Sequence, residues 1–103
     1  MKCRVVFTRE AREDYRALPA RIRAEVGGAI NRHLLYQPTR VSRSRIRRLR
    51  GTLRPQYRLR VGSVRVFYDV REGEVEVLAI VEKSETSEWL KRLGEYYEES
   101  STG

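Results

Sequence analysis

Apolar and polar residues alternate from Gln56 to Val81 in a way that predicts three antiparallel strands joined by two tight turns. Gly62-Ser63 suits a type II′ hairpin, because glycine takes the positive φ that the first central position requires. Pairing outward from that turn sets Val61 opposite Val64, Arg60 opposite Arg65, Leu59 opposite Val66, Arg58 opposite Phe67 and Tyr57 opposite Tyr68. Val64, Val66, Tyr68 and Val70 then share one face. A turn at Glu72-Gly73 is expected to let Val75, Val77, Ala79 and Val81 continue that face, which reads as core. The opposite face is left with Arg58, Arg60 and Arg65 beside Phe67, Leu78 and Ile80.

Upstream, Cys3 to Phe7 is a short β-branched and aromatic run that predicts a first strand joining the sheet at one side. Thr8 ends it and suits the N-cap of a helix from Arg9 to Leu18, with Ala11, Tyr15 and Leu18 on one face. After Pro19 the four-residue recurrence of Ile22, Val26, Ile30 and Leu34 predicts a second helix over Ala20–Leu35, and Pro38 bars its extension. Gly27-Gly28 in its middle costs about 1 kcal/mol per glycine relative to alanine, which points to close packing of another element there. His33 reads as a surface residue near the helix C-terminus, where partial positive charge is favourable. Residues 39–55 form a basic loop that Ile46, Leu49 and Leu53 are expected to pin to the core. Thr86 or Ser87 can cap a last helix, 86–99, with Trp89, Leu90, Leu93 and Tyr97 on one side, and 100–103 should fray. The expected fold is α+β: an N-terminal strand and helical hairpin packed on a small, mainly antiparallel twisted sheet, with a short C-terminal helix.

Composition narrows what such a fold could do. A chain of 103 residues, 40% hydrophobic, can bury one core and reads as one domain, 1–103. Its net charge of +8 and pI near 10.2 favour nucleic acid, an anionic membrane surface or an acidic protein as partner. No apolar run approaches the roughly 18 residues of a membrane span, and no signal-peptide core follows Met1, so the expected location is cytoplasmic. Cys3 has no second cysteine and only His33 as another soft ligand, so no metal or other cofactor is expected. There is no Gly-rich phosphate loop and no Ser-His-Asp set, which leaves arginine chemistry. Arg60 and Arg65 directly across a ladder repel by about 0.2–1 kcal/mol. Either an anion such as a phosphodiester sits between the guanidinium groups, or their stems splay over Phe67 and Leu78 with the heads in water. In the loop Arg40, Arg43, Arg45, Arg47, Arg48, Arg50 and Arg54 make a strip suited to a phosphate backbone, with steep salt dependence, or to an acidic protein.

Leu49-Arg50-Gly51, Tyr57-Arg58-Leu59-Arg60, Gly62-Ser63-Val64-Arg65-Val66-Phe67-Tyr68 and Val77-Leu78-Ala79-Ile80-Val81, in that order, resemble the RelE/ParE toxin superfamily over nearly the whole chain. The resemblance implies the toxin of a type II toxin-antitoxin system. RelE-like members are ribosome-dependent endoribonucleases that cleave mRNA in the ribosomal A site, and ParE-like members inhibit DNA gyrase. Both imply a cognate antitoxin, an acidic or amphipathic segment received along the helical hairpin or the basic face. Arg58, Arg60 and Arg65 match the RelE-like basic positions on the sheet, which would bind mRNA and stabilise charge on the scissile phosphate. Arg43, Arg45, Arg47, Arg48, Arg50 and Arg54 would extend that RNA contact. The RelE-like basic segment after the last strand reads Glu82-Lys83-Ser84-Glu85-Thr86 here, with Ser84 where an arginine is expected and Leu90 where a tyrosine is expected. Lys83, Glu82 or a tyrosine from Tyr96-Tyr97 would then have to substitute. Strand parity through Leu78, Ile80 and Glu82 is expected to aim Glu82 at the arginine face, as a general base or simply as a neutralising partner of Arg65. Metal-free attack of a ribose 2′-hydroxyl on its own phosphate would fit such a set.

Overall fold

A computed structural model describes residues 2–51 and 54–93. The expected anchor Leu53, and Tyr96, Tyr97 and the tail, lie outside the described residues. In chain order the elements are β1 (Arg4–Phe7), α1 (Arg9–Ala17), α2 (Ala20–His33), β2 (Ile46–Arg48), β3 (Tyr57–Val61), β4 (Val64–Arg71) and β5 (Glu74–Glu82). A 3-10 turn, Lys83–Glu85, then leads into helix α3, residues 86–93. The strands form one sheet in the order β1-β5-β4-β3-β2, with β1 parallel to β5 and every other pair antiparallel. The α+β architecture is as the patterning predicts.

The hairpin register is the expected one, from Val61 against Val64 to Tyr57 against Tyr68. Gly62 sits at φ +57° in its turn, while Glu72 and Gly73 are both positive in the next, at +42° and +77°. Thr8 caps α1 by accepting from the Ala11 amide, and its own hydroxyl donates to the Leu78 carbonyl at 3.1 Å. Both helices lie over one face of the sheet. There Ala11, Val26, Ala29, Ile30 and Leu34 pack with Leu59, Val61, Val64, Val66, Tyr68, Val75, Val77 and Ile80. The packing expected of the paired glycines falls on Gly27, whose Cβ position lies 2.7 Å from the Tyr15 hydroxyl.

Three expectations change. First, β5 contains a bulge. Tyr68 pairs with Val77 but Phe67 pairs with Ala79, so Leu78 is an extra residue and side-chain parity flips across it. Ile80 therefore joins the helix-covered core, while Ala79 and Val81 turn to the arginine face. α1 accommodates the irregularity, because Thr8 takes the Leu78 carbonyl and Asp14 accepts from the Ile80 amide at 3.0 Å. Second, the basic loop contains a strand. Ile46 is buried and pairs with Leu59, which brings Arg47 against Arg58 and Arg48 against Tyr57. Third, the last helical segment starts at Lys83 rather than at a capping Thr86 or Ser87. The Thr86 hydroxyl instead donates back to the Glu82 carbonyl at 3.2 Å.

Candidate functional site

The face of the sheet opposite α1 and α2 is built from arginine. Parity along β3 puts Arg58 and Arg60 on it, β4 adds Arg65, and β2 adds Arg47. In register, one cross-strand row runs Arg47, Arg58, Phe67, Ala79, and the next runs Arg60, Arg65, Val81. Trp89 of α3 stacks on Phe67 at 4.7 Å between ring centroids, so the helix walls this face beside the arginines.

These guanidinium groups are poorly neutralised. Ion pairs among the described residues join Arg4 to Glu74, Arg9 to Glu13, Arg21 to Glu25, and Arg54 to both Asp69 and Glu76, and none of these reaches Arg47, Arg58, Arg60 or Arg65. Arg65 is only 5% exposed. Its Nη1 donates to the carbonyls of Gly62 and Val64 at 2.8 and 3.1 Å. Arg58 Nε is buried with no hydrogen-bond partner. Burial pushes the pKa of Arg58 down, with Arg65, Arg47 and Arg60 adding repulsion. Burial, then Arg60, does the same to Arg65. Guanidinium groups stay charged under such pressure, so the cluster favours an anion with several acceptor oxygens that its planar forks can grip.

The remaining predicted residues separate. Arg43, Arg45 and Arg50 are exposed, and Arg45 Nη1 reaches the Arg60 carbonyl at 3.3 Å. Arg48 points to the other side, its guanidinium 5.0 Å from the Tyr57 ring centroid. Arg54 bridges Asp69 Oδ2 at 2.6 Å and Glu76 Oε1 at 2.7 Å, and so ties the loop to the sheet. Glu82 does not face the arginines: the bulge puts it in Ile80's parity, where it lines a cleft of about 510 Å³ with Glu10, Glu13, Asp14, Glu85 and Trp89. Lys83 is exposed, and its amide donates to the Ser63 carbonyl at 2.8 Å, which brings the 3-10 turn beside the hairpin turn. Ser84 is exposed in that turn and Leu90 is half-buried on α3.

Two other titrating groups fall away from this face. Burial raises the Asp14 carboxyl, against the lowering effect of the Ile80 amide. His33 is held low by burial and then by Arg45 and Arg32, so it favours the neutral form instead of supplying the charge that a helix C-terminus welcomes. Sequence reasoning missed the partnership of Arg47 with Arg58, because a three-residue strand inside a basic run carries almost no periodic signal. It also missed the Arg54 clamp, although Asp69 inside an otherwise apolar strand is a usable cue, since a buried carboxylate needs a cation or donors.

A model of the family described as "ParE toxin of type II toxin-antitoxin system, parDE" matches residues 5–86. No curated protein sequence matches the chain. Among solved structures, a chain of the toxin-antitoxin complex RelBE2 from Mycobacterium tuberculosis is 30% identical, with TM-score 0.68, over 80% of this chain and 99% of that one. A chain of the archaeal RelE-RelB complex from Pyrococcus horikoshii OT3 is 24% identical, with TM-score 0.65, over 80% and 96%. A chain of the RelB-RelE complex from Methanococcus jannaschii shares the fold at 17% identity and TM-score 0.64, over 82% and 96%.

Proposed function

Because the chain belongs to the ParE toxin family of type II toxin-antitoxin systems, within the RelE/ParE superfamily, we propose that it inhibits translation in the cytoplasm as a metal-independent, ribosome-dependent mRNA endoribonuclease. The observation that carries this reading is the face of Arg58, Arg60 and Arg65, where Arg65 is buried, Arg58 is half-buried against other arginines, and no carboxylate of the described residues pairs with any of the three. On this reading the ribose 2′-hydroxyl loses its proton as its oxygen attacks the adjacent phosphorus, the bond to the 5′-oxygen breaks and that oxygen takes up a proton, and a 2′,3′-cyclic phosphate forms. The guanidinium groups hold the phosphate and stabilise the charge that builds on its oxygens in the transition state. On this reading Lys83, whose amide donates to the Ser63 carbonyl at the hairpin end of the same sheet, would be the assisting cation. Solved complexes of similar toxins with their antitoxins support a cognate antitoxin as the protein partner.

A second reading, inhibition by contact alone with gyrase as the target, is favoured by the position of Glu82, which lines the acidic cleft and leaves the arginine face without that carboxylate as base. Cleavage of mRNA on programmed ribosomes, measured beside gyrase supercoiling, separates the two. The nuclease reading expects cleavage that requires the programmed ribosome and is lost in Arg58→Ala. Intact mRNA with inhibited supercoiling would replace it with the second reading.

A further inference from the structure

We propose that the arginine face holds two consecutive phosphates of one extended RNA strand, the first between Arg47 and Arg58 and the second between Arg60 and Arg65. This rests on the RNA reading above and adds to it a footprint, a strand state and a residue, Arg47, whose place only β2 reveals.

Arg58 and Arg60 lie two residues apart on β3, a separation of about 7 Å along the strand. Arg47 flanks Arg58 from β2, and Arg65 flanks Arg60 from β4, each one interstrand spacing of about 4.8 Å away. The centres of the two pairs thus fall roughly 8 Å apart on a diagonal across the sheet. That suits neighbouring phosphates of an extended, unstacked sugar-phosphate chain, whose repeat is six covalent bonds. The donors fit the assignment. Arg58 keeps a buried Nε with no partner, and Arg65 commits Nη1 to the hairpin carbonyls, which fixes the orientation of its fork. The Phe67–Trp89 stack closes the face on the β5 side, so the chain's path crosses β2 to β4. Arg48, on the other side over Tyr57, and Arg54, held by Asp69 and Glu76, take no part.

The test is fluorescence polarisation of a labelled single-stranded RNA, with the slope of log affinity against log salt taken between about 50 and 200 mM. For single strands each released phosphate contact removes about 0.7 from that slope. Arg47→Ala with Arg58→Ala, and Arg60→Ala with Arg65→Ala, are each expected to lower it by about 0.7, and all four together by about 1.4. Arg48→Ala is expected to leave it unchanged, and a duplex RNA of the same sequence should bind more weakly. Thermal melts accompany each variant. If the Arg65 variants do not fold, Arg60→Lys with Arg65→Lys is used, which should keep the slope while the affinity falls several-fold as the forks are lost. Slopes indifferent to both pairs, or lowered as much by Arg48→Ala, would overturn the footprint even with strong cleavage on ribosomes. Additive slopes with no ribosomal cleavage would instead keep the footprint and remove the nuclease reading.

Discussion

Gly27 and Gly28 are adjacent in α2 yet serve different ends. At Gly27 an added Cβ would stand 2.7 Å from the Tyr15 hydroxyl, and that hydroxyl is held by its bond to the Arg23 carbonyl and by an edge-on contact of its ring with Phe7. At Gly28 the nearest atom is Nη1 of exposed Arg32, at 3.2 Å, which can swing away. Gly27→Ala should therefore destabilise by about 1 kcal/mol net, the overpacking outweighing the helix gain. Gly28→Ala should stabilise by up to about 1 kcal/mol. Urea melts of both, repeated on Tyr15→Phe, check this, since losing the hydroxyl should make Gly27→Ala tolerable. Asp14 supplies a second expectation at this scale. Its folded pKa is raised by burial above the ordinary 3.8, so the folded state binds the proton more tightly than the unfolded chain does. The protein is then relatively more stable with Asp14 protonated, and that advantage is lost as pH rises from about 3.8 through the raised folded value. Asp14→Asn keeps an oxygen to accept from Ile80 without the buried charge. It should raise Tm at pH 7 and converge on the parent below pH 4, and parallel pH-melt curves would contradict this.

At the level of elements, the central hairpin was legible in the sequence because its turn glycine and its alternation agree on one register. The second hairpin was only half legible. Val75, Val77, Ala79 and Val81 alternate without a break, and nothing local marks Leu78 as extra. The bulge is set by α1, whose Thr8 and Asp14 take the Leu78 carbonyl and the Ile80 amide from residues 70 and 66 positions away in sequence. Long-range partners of that kind leave no trace in a window of strand periodicity, and this is why Glu82 was expected on the wrong side. The Arg54 clamp has the same origin. Cross-strand pairing puts Asp69 directly beside Glu76, and Arg54 separates their charges while the Asp69 side chain is only 2% exposed. Arg54→Ala should cost about 3 kcal/mol by leaving a buried carboxylate unpaired. It should leave RNA affinity per folded molecule nearly unchanged, which distinguishes it from the Arg58 variants. An aromatic stack helps dock helix α3, so Trp89→Ala should cost about 2 kcal/mol, less than a fully buried tryptophan because Trp89 is half-buried. Trp89 is the chain's one tryptophan, so its fluorescence should report undocking directly when Phe67 is replaced by leucine.

For the molecule as a whole, the net charge of +8 conceals a separation of signs. Arginines crowd one sheet face, while Glu10, Glu13, Asp14, Glu82 and Glu85 gather around the cleft beside α1. Among the described residues this arrangement leaves the arginine face without a carboxylate that a nuclease could use as base. Ser84 adds to that shortfall, since it stands where RelE-like enzymes place a transition-state arginine, and Leu90 stands where they place a tyrosine. Each missing transition-state group typically costs about 10²–10³ in rate. On the nuclease reading, wild-type cleavage on ribosomes is therefore expected to be slow. Ser84 is exposed in the 3-10 turn that the Lys83 amide fastens to Ser63 at the hairpin, so an arginine there can be accommodated without disturbing the core. Ser84→Arg should raise the single-turnover cleavage rate at least tenfold, and adding Arg58→Ala should abolish the gain, because the new cation can only act on a phosphate that the clamp already holds. Leu90→Tyr is the weaker choice, since Leu90 is half-buried on α3 and a larger ring there disturbs the helix that Trp89 docks. A gain in Ser84→Arg that persists without Arg58 would mean nonspecific attraction of RNA. Fast cleavage by the unmodified protein would mean that another group has already taken the arginine's place.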